Sequence, residues 1–279
     1  MYEIARKTVV ITGASSGIGR AAASAFAAAD ARLVLLGRNA ARLDEVAART
    51  GATAIRCDFE DFSSVRDAAK QISDLTPHID VLLNNAGAFY RKYELTIDGN
   101  EKTLQVNTLS PYLLTRQLLP ALAAAPRPRV VFTSSQLHRF GRSRLPDPNS
   151  PDHFNGNEFR QGTYADSKLF AAALTHGFAA RRRDIEFANF HPGTVHTEIS
   201  RTMPVVKLLQ RTPLRRALTI TAEESAASLV EVVTSAARYD ATYFKRAQPS
   251  SPSEDVLDTA LAEQFWQAAA AITGETAEL

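Results

Sequence analysis

The chain has 279 residues, of which 45% are hydrophobic and 22% charged, with a formal net charge of +2. This is the composition of a soluble globular protein able to build a substantial core, and the near-balance of charge argues against a nucleic-acid binder, which needs a dominant basic face. Cys57 is the one cysteine, so no intramolecular disulfide forms and a reducing, cytoplasmic setting is expected.

The chain alternates short β-branched runs with amphipathic helical stretches. "MYEIARKTVVITGA" enters a strand almost at once and lacks the apolar run and cleavage site of a signal peptide. The strand "KTVVITG" leads into the helix "GIGRAAASAFAAAD", "ARLVLLG" into "ARLDEVAART", and "ATAIRCD" into "SSVRDAAKQISDL". After the strand "IDVLLNNAG" the pattern predicts a long helix from about Asn100 to Ala125, kinked at Pro111. The strand "PRVVFTSS" is followed by a polar, Pro/Gly-rich segment from Gln136 to Gln161, then by the helix of "GTYADSKLF". "IEFANFHPG" is a strand. A mixed loop, a helix near Glu223–Ala237, a short strand at "ATYF", a linker "AQPSSPSEDV" and a last helix at "ALAEQFWQAAAAI" complete the chain.

Continuous apolar strands separated by helices indicate a parallel sheet covered on both faces. Right-handed crossovers then give an α/β, doubly wound Rossmann fold of about seven strands, read as a single domain over residues 1–279. No run of about eighteen apolar residues offers a membrane span. The six histidines are scattered, and none pairs with a second cysteine at zinc spacing, so no metal is expected. Arg181, Arg182 and Arg183 read as a solvated helix end that complements the helix dipole.

The first strand ends in "TGASSGIG", Thr12–Gly19. A glycine-rich turn between a strand and a helix presents backbone N–H groups and a helix dipole to a pyrophosphate. Gly13 permits the tight turn, Gly17 the ligand's approach and Gly19 close packing of the helix. Ser15, Ser16 and Ile18 lie between them as further cofactor contacts. "GASSG" also fits the G-x-S-x-G elbow of a serine hydrolase, with Ser15 as nucleophile, though such elbows normally follow several strands rather than the first.

"TGASSGIG", "NNAG" (Asn84–Gly87), Asn107 in "LQVNTLSPYLLT", "VVFTSS", "YADSK" and "HPGTVHT" follow one another in this order. Together they resemble a short-chain dehydrogenase/reductase from about Lys7 to Thr197, and the style of "SSQLH", "YADSKLF" and "HPGTVHTE" is similar to the retinol dehydrogenase and protochlorophyllide reductase branch. The resemblance implies Tyr164 as catalytic acid/base, Lys168 as the cation beside it and the holder of the nicotinamide ribose, and Ser135 as donor to the substrate oxygen, with Ser134 the alternative. It implies that Asn107 disturbs its helix and holds a water linking Lys168 to solvent. Asn85, Ala86 and Gly87 would line the cofactor, and Asp58 and Phe59 would meet the adenine. Pro192, Gly193 and Val195 would meet the nicotinamide, and Thr197 the pyrophosphate. Tyr164 and Lys168 are four apart and share a helix face. A free phenol has a pKa of about 10, and a unit charge about 4 Å away at an effective dielectric of about 20 is worth roughly 4 kcal/mol, enough to lower it by up to about three units before desolvation opposes. His138, His191 and His196 are read as structural or substrate-lining.

NAD-specific sites of this fold place an acid at the end of the second strand, about 20 residues past the loop. Here the chain reads "LVLLGRN": Gly37 leaves room, and Arg38, followed by Asn39, offers a guanidinium suited to a 2′-phosphate. NADP(H) is therefore expected over NAD(H). Ser135 and Tyr164 are 29 positions apart, far more than in compact family members. The extra polar segment, about 136–161, is expected to hinder the usual assembly, which leaves a monomer or homodimer. Residues of about 196–221, with Val205, Val206, Leu208 and Leu209, would form a substrate lid. The expected activity is hydride transfer between nicotinamide and a bulky, apolar carbonyl or alcohol: retinoid-like, steroid-like or a polyketide ketone. A non-catalytic NADP(H)-binding sensor is the second reading, and the hydrolase the third.

Overall fold

The computed structural model describes residues 2–142, 162–195 and 219–279. The first half runs β1 (Thr8–Thr12), α1 (Gly17–Ala28), β2 (Arg32–Gly37), α2 (Ala40–Thr50), β3 (Thr53–Arg56), α3 (Phe62–Leu75) and β4 (Val81–Asn84). Short α4 (Lys102–Leu104), α5 (Ser110–Ala123), β5 (Arg129–Thr133), α6 (Gly162–Arg181) and β6 (Glu186–His191) follow. The described C-terminal part holds α7 (Ala222–Thr234), β7 (Thr242–Lys245), β8 (Gln248–Pro249), α8 (Glu254–Leu257) and α9 (Thr259–Thr273).

The strands form one sheet in the order β3-β2-β1-β4-β5-β6-β7-β8. Its first seven strands are parallel, as the apolar runs predict, and the two-residue β8 adds an antiparallel edge inside the stretch read as linker. Alternate residues of each strand face opposite layers. Val10, Leu82, Val130 and Phe187 join one core with α3, α5, α6 and α9. Val9, Ile11, Leu83 and Phe190 join another with α1, α2 and α7. On the first face Trp266 packs edge-on to Tyr112 and Phe178.

The helix expected over Asn100–Ala125 is interrupted before Pro111 rather than kinked at it. A π-helical turn, Gln105–Leu109, joins α4 to α5, and Pro111 lies in the first turn of α5. Pro111 has no N–H to donate to the carbonyl of Asn107 four residues back, and the π turn takes up the extra residue at that point. Arg181, which ends α6, and Arg182 and Arg183 just beyond it each meet a carboxylate: Arg181 with Glu263 at 2.6 Å, Arg182 with Asp184 at 2.6 Å, Arg183 with Asp240 at 3.2 Å.

Candidate active site

The strand order reverses between β1 and β4, and ligands of doubly wound sheets bind outside the carboxyl ends at such a point. Two loops meet there. Thr12 ties them: its Oγ1 accepts the N–H groups of Asn85 and Ala86, both at 2.9 Å, and donates to the Leu83 carbonyl. Gly13 has φ +67° and Gly17 φ +52°, a region that side chains disfavour. A Cβ on Gly13 would lie 2.9 Å from the Ala86 Cα, and one on Gly19 only 2.3 Å from the Gly13 carbonyl oxygen. The loop is thus folded down onto the β4 turn, and Gly13, Ser15, Ser16, Gly17 and Ile18 line the crevice at the start of α1, a fit for a dinucleotide pyrophosphate.

A cavity of about 1290 Å³ runs along this crevice. Of the residues singled out in the sequence, it brings together Gly13, Ser15, Ser16, Gly17, Ile18, Arg38, Asn39, Asp58, Phe59, Asn85, Ala86, Gly87, Ser135, Tyr164, Lys168, Pro192, Gly193 and Val195. Gly19 and Asn107 stand behind the wall. Thr197, His196 and residues 196–218 of the proposed lid lie outside the described residues, as does 143–161 of the extra segment.

At one end, α6 presents Tyr164 and Lys168, 8% and 4% exposed. Lys168 Nζ donates to the Thr133 carbonyl at 2.8 Å and sits 5.8 Å from the centre of the Tyr164 ring. Burial pushes the Tyr164 phenol up to about 12, against a hydrogen bond from Ser135 that pulls it down. Burial pushes the Lys168 ammonium down to about 8. With the protein's own groups alone, desolvation therefore outweighs the lowering expected from the neighbouring cation. The Tyr164 ring meets Phe89 edge-on, centroids 5.9 Å apart.

Ser135 opens a 3₁₀ turn, Gln136–Phe140, and its Oγ accepts the Leu137 N–H. His138, fully buried, fixes that turn: Nδ1 lies 2.6 Å from the Ser135 carbonyl, and Nε2 accepts the Ser253 N–H at 3.0 Å. That pattern assigns the neutral tautomer with the proton on Nδ1, and burial holds its pKa below the ordinary histidine value. Asn107, in the π turn, spends its side chain on the protein. It accepts the Ala88 N–H at 2.7 Å and donates to the Ala88 carbonyl and to Ser167 Oγ.

At the other end, Arg38 Nη1 donates to Glu60 Oε1. Asp58 accepts the Glu60 N–H at 3.1 Å, and Asn39 caps α2 by accepting the Arg42 N–H. Sequence reading missed several lining residues, Arg42, Glu60, Tyr90, Lys245 and Arg246, while His191, read as structural or substrate-lining, does line the cavity. His191, its Nδ1 buried without a partner, is driven down to about 4 by burial and by the charges of Lys245 and Arg246. Nothing local in the sequence marks Glu60 or Arg246.

Comparison with known proteins agrees with this geometry. The family described as short chain dehydrogenase matches residues 7–146. A Streptomyces sp. (strain C5) protein provisionally named daunorubicin C-13 ketoreductase DnrU is 38% identical, over 97% of this chain and 94% of its own length. Mouse retinol dehydrogenase 14 is 33% identical, over 70% of this chain and 63% of its own. A crystal structure of a short chain dehydrogenase from Burkholderia cenocepacia J2315 in complex with NADP superposes with TM-score 0.67 at 26% identity, covering 87% of this chain and 97% of that one. Family membership replaces the hydrolase reading of "GASSG". The chain belongs to the short-chain dehydrogenase/reductase family: it is a nicotinamide-dependent oxidoreductase of CH–OH and C=O groups.

Proposed function

We propose that the enzyme uses NADP(H) in preference to NAD(H) and interconverts a bulky, apolar carbonyl compound and its alcohol, with Tyr164 as general acid/base. The observation that carries this is the meeting of Ser135, Tyr164 and Lys168 with the glycine loop and Arg38 along a single cavity. The nicotinamide, when bound, gives or takes the hydride. Tyr164 supplies the proton. With its phenol raised to about 12 it is neutral near pH 7, the state a general acid needs for carbonyl reduction. Ser135 donates to the substrate oxygen and holds it against the phenol. Lys168, at about 8, is still mostly cationic near pH 7 and favours the phenolate left after proton transfer. Asn107 keeps the Ala88 backbone and the π turn in place, and a water held there would return the proton through Lys168.

Arg38 is the proposed 2′-phosphate anchor, with Asn39 beside it and Asp58 and Phe59 toward the adenine. Asn85, Ala86, Gly87, Pro192, Gly193, Val195 and Thr197 complete the cofactor's bed. The NADP complex of the Burkholderia relative supports this cofactor. Retinol and a daunorubicin ketone, the compounds in the names of the relatives, support a bulky substrate. The enzyme is read as a single domain acting as a monomer or homodimer. Among the described residues no helix is long and apolar enough to cross a membrane. The lone Cys57, free and buried, supports a reducing, cytoplasmic setting.

Arg38→Asp is expected to weaken NADPH about 10- to 100-fold, the scale of a lost charge-assisted contact, and NADH far less. Fluorescence titration with each cofactor checks this. Equal loss for both would contradict the assignment.

A further inference from the structure

Arg38 is already paired with an anion of the protein. Glu60 Oε1 accepts from Arg38 Nη1 and, at 2.5 Å, from the Tyr90 hydroxyl. Glu60 Oε2 lies 3.2 Å from Lys102 Nζ, which also holds Glu94 at 2.8 Å. The Glu60 side chain is 18% exposed and that of Arg38 59%. Burial raises the Glu60 carboxyl, but the hydrogen bonds from Tyr90 and Lys102 and the Arg38 charge outweigh it and hold the group below the ordinary range. Glu60 is therefore an anion at neutral pH, standing in the cavity wall beside the guanidinium proposed to read a phosphate.

A guanidinium fork serves one planar anion well. A 2′-phosphate arriving at Arg38 meets a carboxylate on the same fork, and the two like charges repel. We infer that Glu60 is a specificity-determining residue that competes with the cofactor's 2′-phosphate for Arg38. The carboxylate yields the guanidinium when a phosphorylated cofactor binds and is not left unpaired, because Tyr90 and Lys102 still hold it. A cofactor without the phosphate leaves the Arg38–Glu60 pair intact. Glu60 thus narrows the affinity gap between NADPH and NADH and keeps NADP⁺ release from becoming slow. The inference rests on Arg38 being the phosphate anchor.

The test is fluorescence titration of the full chain with NADPH and with NADH, in the wild type, Glu60→Gln, Arg38→Gln and the double variant. Glutamine keeps the oxygen that accepts from Tyr90, and thermal unfolding of each variant checks the fold. Glu60→Gln is expected to tighten NADPH about three- to fivefold, the scale of one ion pair near the surface, with NADH nearly unchanged. In the Arg38→Gln background the same change should do nothing to NADPH. Weaker NADPH binding in Glu60→Gln would overturn the inference, because Glu60 would then be orienting Arg38 for the phosphate. Equal tightening of NADPH and NADH, or tightening that persists without Arg38, would reduce Glu60 to a diffuse negative field and overturn it too. If Arg38→Gln itself leaves the NADPH-to-NADH ratio unchanged, the anchor is elsewhere, and both the inference and the reading beneath it fall.

Discussion

Tyr164→Phe is expected to lower kcat/KM for carbonyl reduction by about 10²–10⁴-fold, the range of a lost general acid, with the Kd for NADPH nearly unchanged. The substitution removes one oxygen and leaves the ring. Its edge-on contact with Phe89 survives, and so does the hydrogen bond from Lys168 to the Thr133 carbonyl. Ser135 loses its phenol partner but keeps its hydroxyl among the Leu137 N–H and the cavity. The loss should therefore fall on kcat rather than on stability. Thermal unfolding beside steady-state kinetics separates the two, and a variant that keeps wild-type kcat would remove Tyr164 from the chemistry.

The largest expected effect on stability lies at the opposite end of the sheet. Glu186, at the start of β6 and 2% exposed, binds Arg127 at 2.5 Å and Arg129 at 3.2 Å and accepts the Tyr239 N–H. Arg129 is fully buried between the rings of Tyr2 and Tyr239, 4.2 and 4.5 Å from their centroids. Its remaining donors go to the carbonyls of Val233 and Ala237 and to the Tyr239 hydroxyl. Glu186→Ala strands that guanidinium in the core without a counter-charge, and breaking such a pair from one side costs about 3–5 kcal/mol. At about 2–4 °C per kcal/mol for a chain of this size, Tm should fall by roughly 6–20 °C. Denaturant unfolding gives the free energy directly, and a loss below about 1 kcal/mol, the level of an exposed pair, would contradict this reading of the cluster.

The contrast between these two sites shows what the sequence makes legible. "KTVVITG" and "IDVLLNN" read as buried parallel strands because residues on both faces are apolar, and "TGASSGIG" read as a loop because glycine alone accepts the turn at Gly13 and the contact at Gly19. The helical spacing of Tyr164 and Lys168 was visible as well. The direction of their pKa values was not. The sequence shows a cation four residues away, whereas the cost of burying a phenol depends on how α6 is covered by the rest of the chain. The helix is disturbed at Asn107, as the family resemblance implies, and the effect of the conspicuous Pro111 falls on that preceding turn rather than on a kink of its own. Long-range pairs left no trace. Arg38 and Glu60 are 22 residues apart, and His138 reaches Ser253 across 115. Each looks like an ordinary polar residue until the sheet order brings them together.

The most direct measurement is isotope transfer. The enzyme is incubated with NADPH carrying deuterium at both C4 positions of the nicotinamide and a panel of aldehydes and polycyclic ketones, and products are weighed by mass spectrometry for wild type and Tyr164→Phe. The expected result is an alcohol carrying one deuterium on the carbinol carbon from the wild type, with almost none from the variant. Deuterated product formed equally well by Tyr164→Phe, or tight NADPH binding with no deuterium transfer to any member of the panel, would contradict Tyr164-dependent carbonyl reduction.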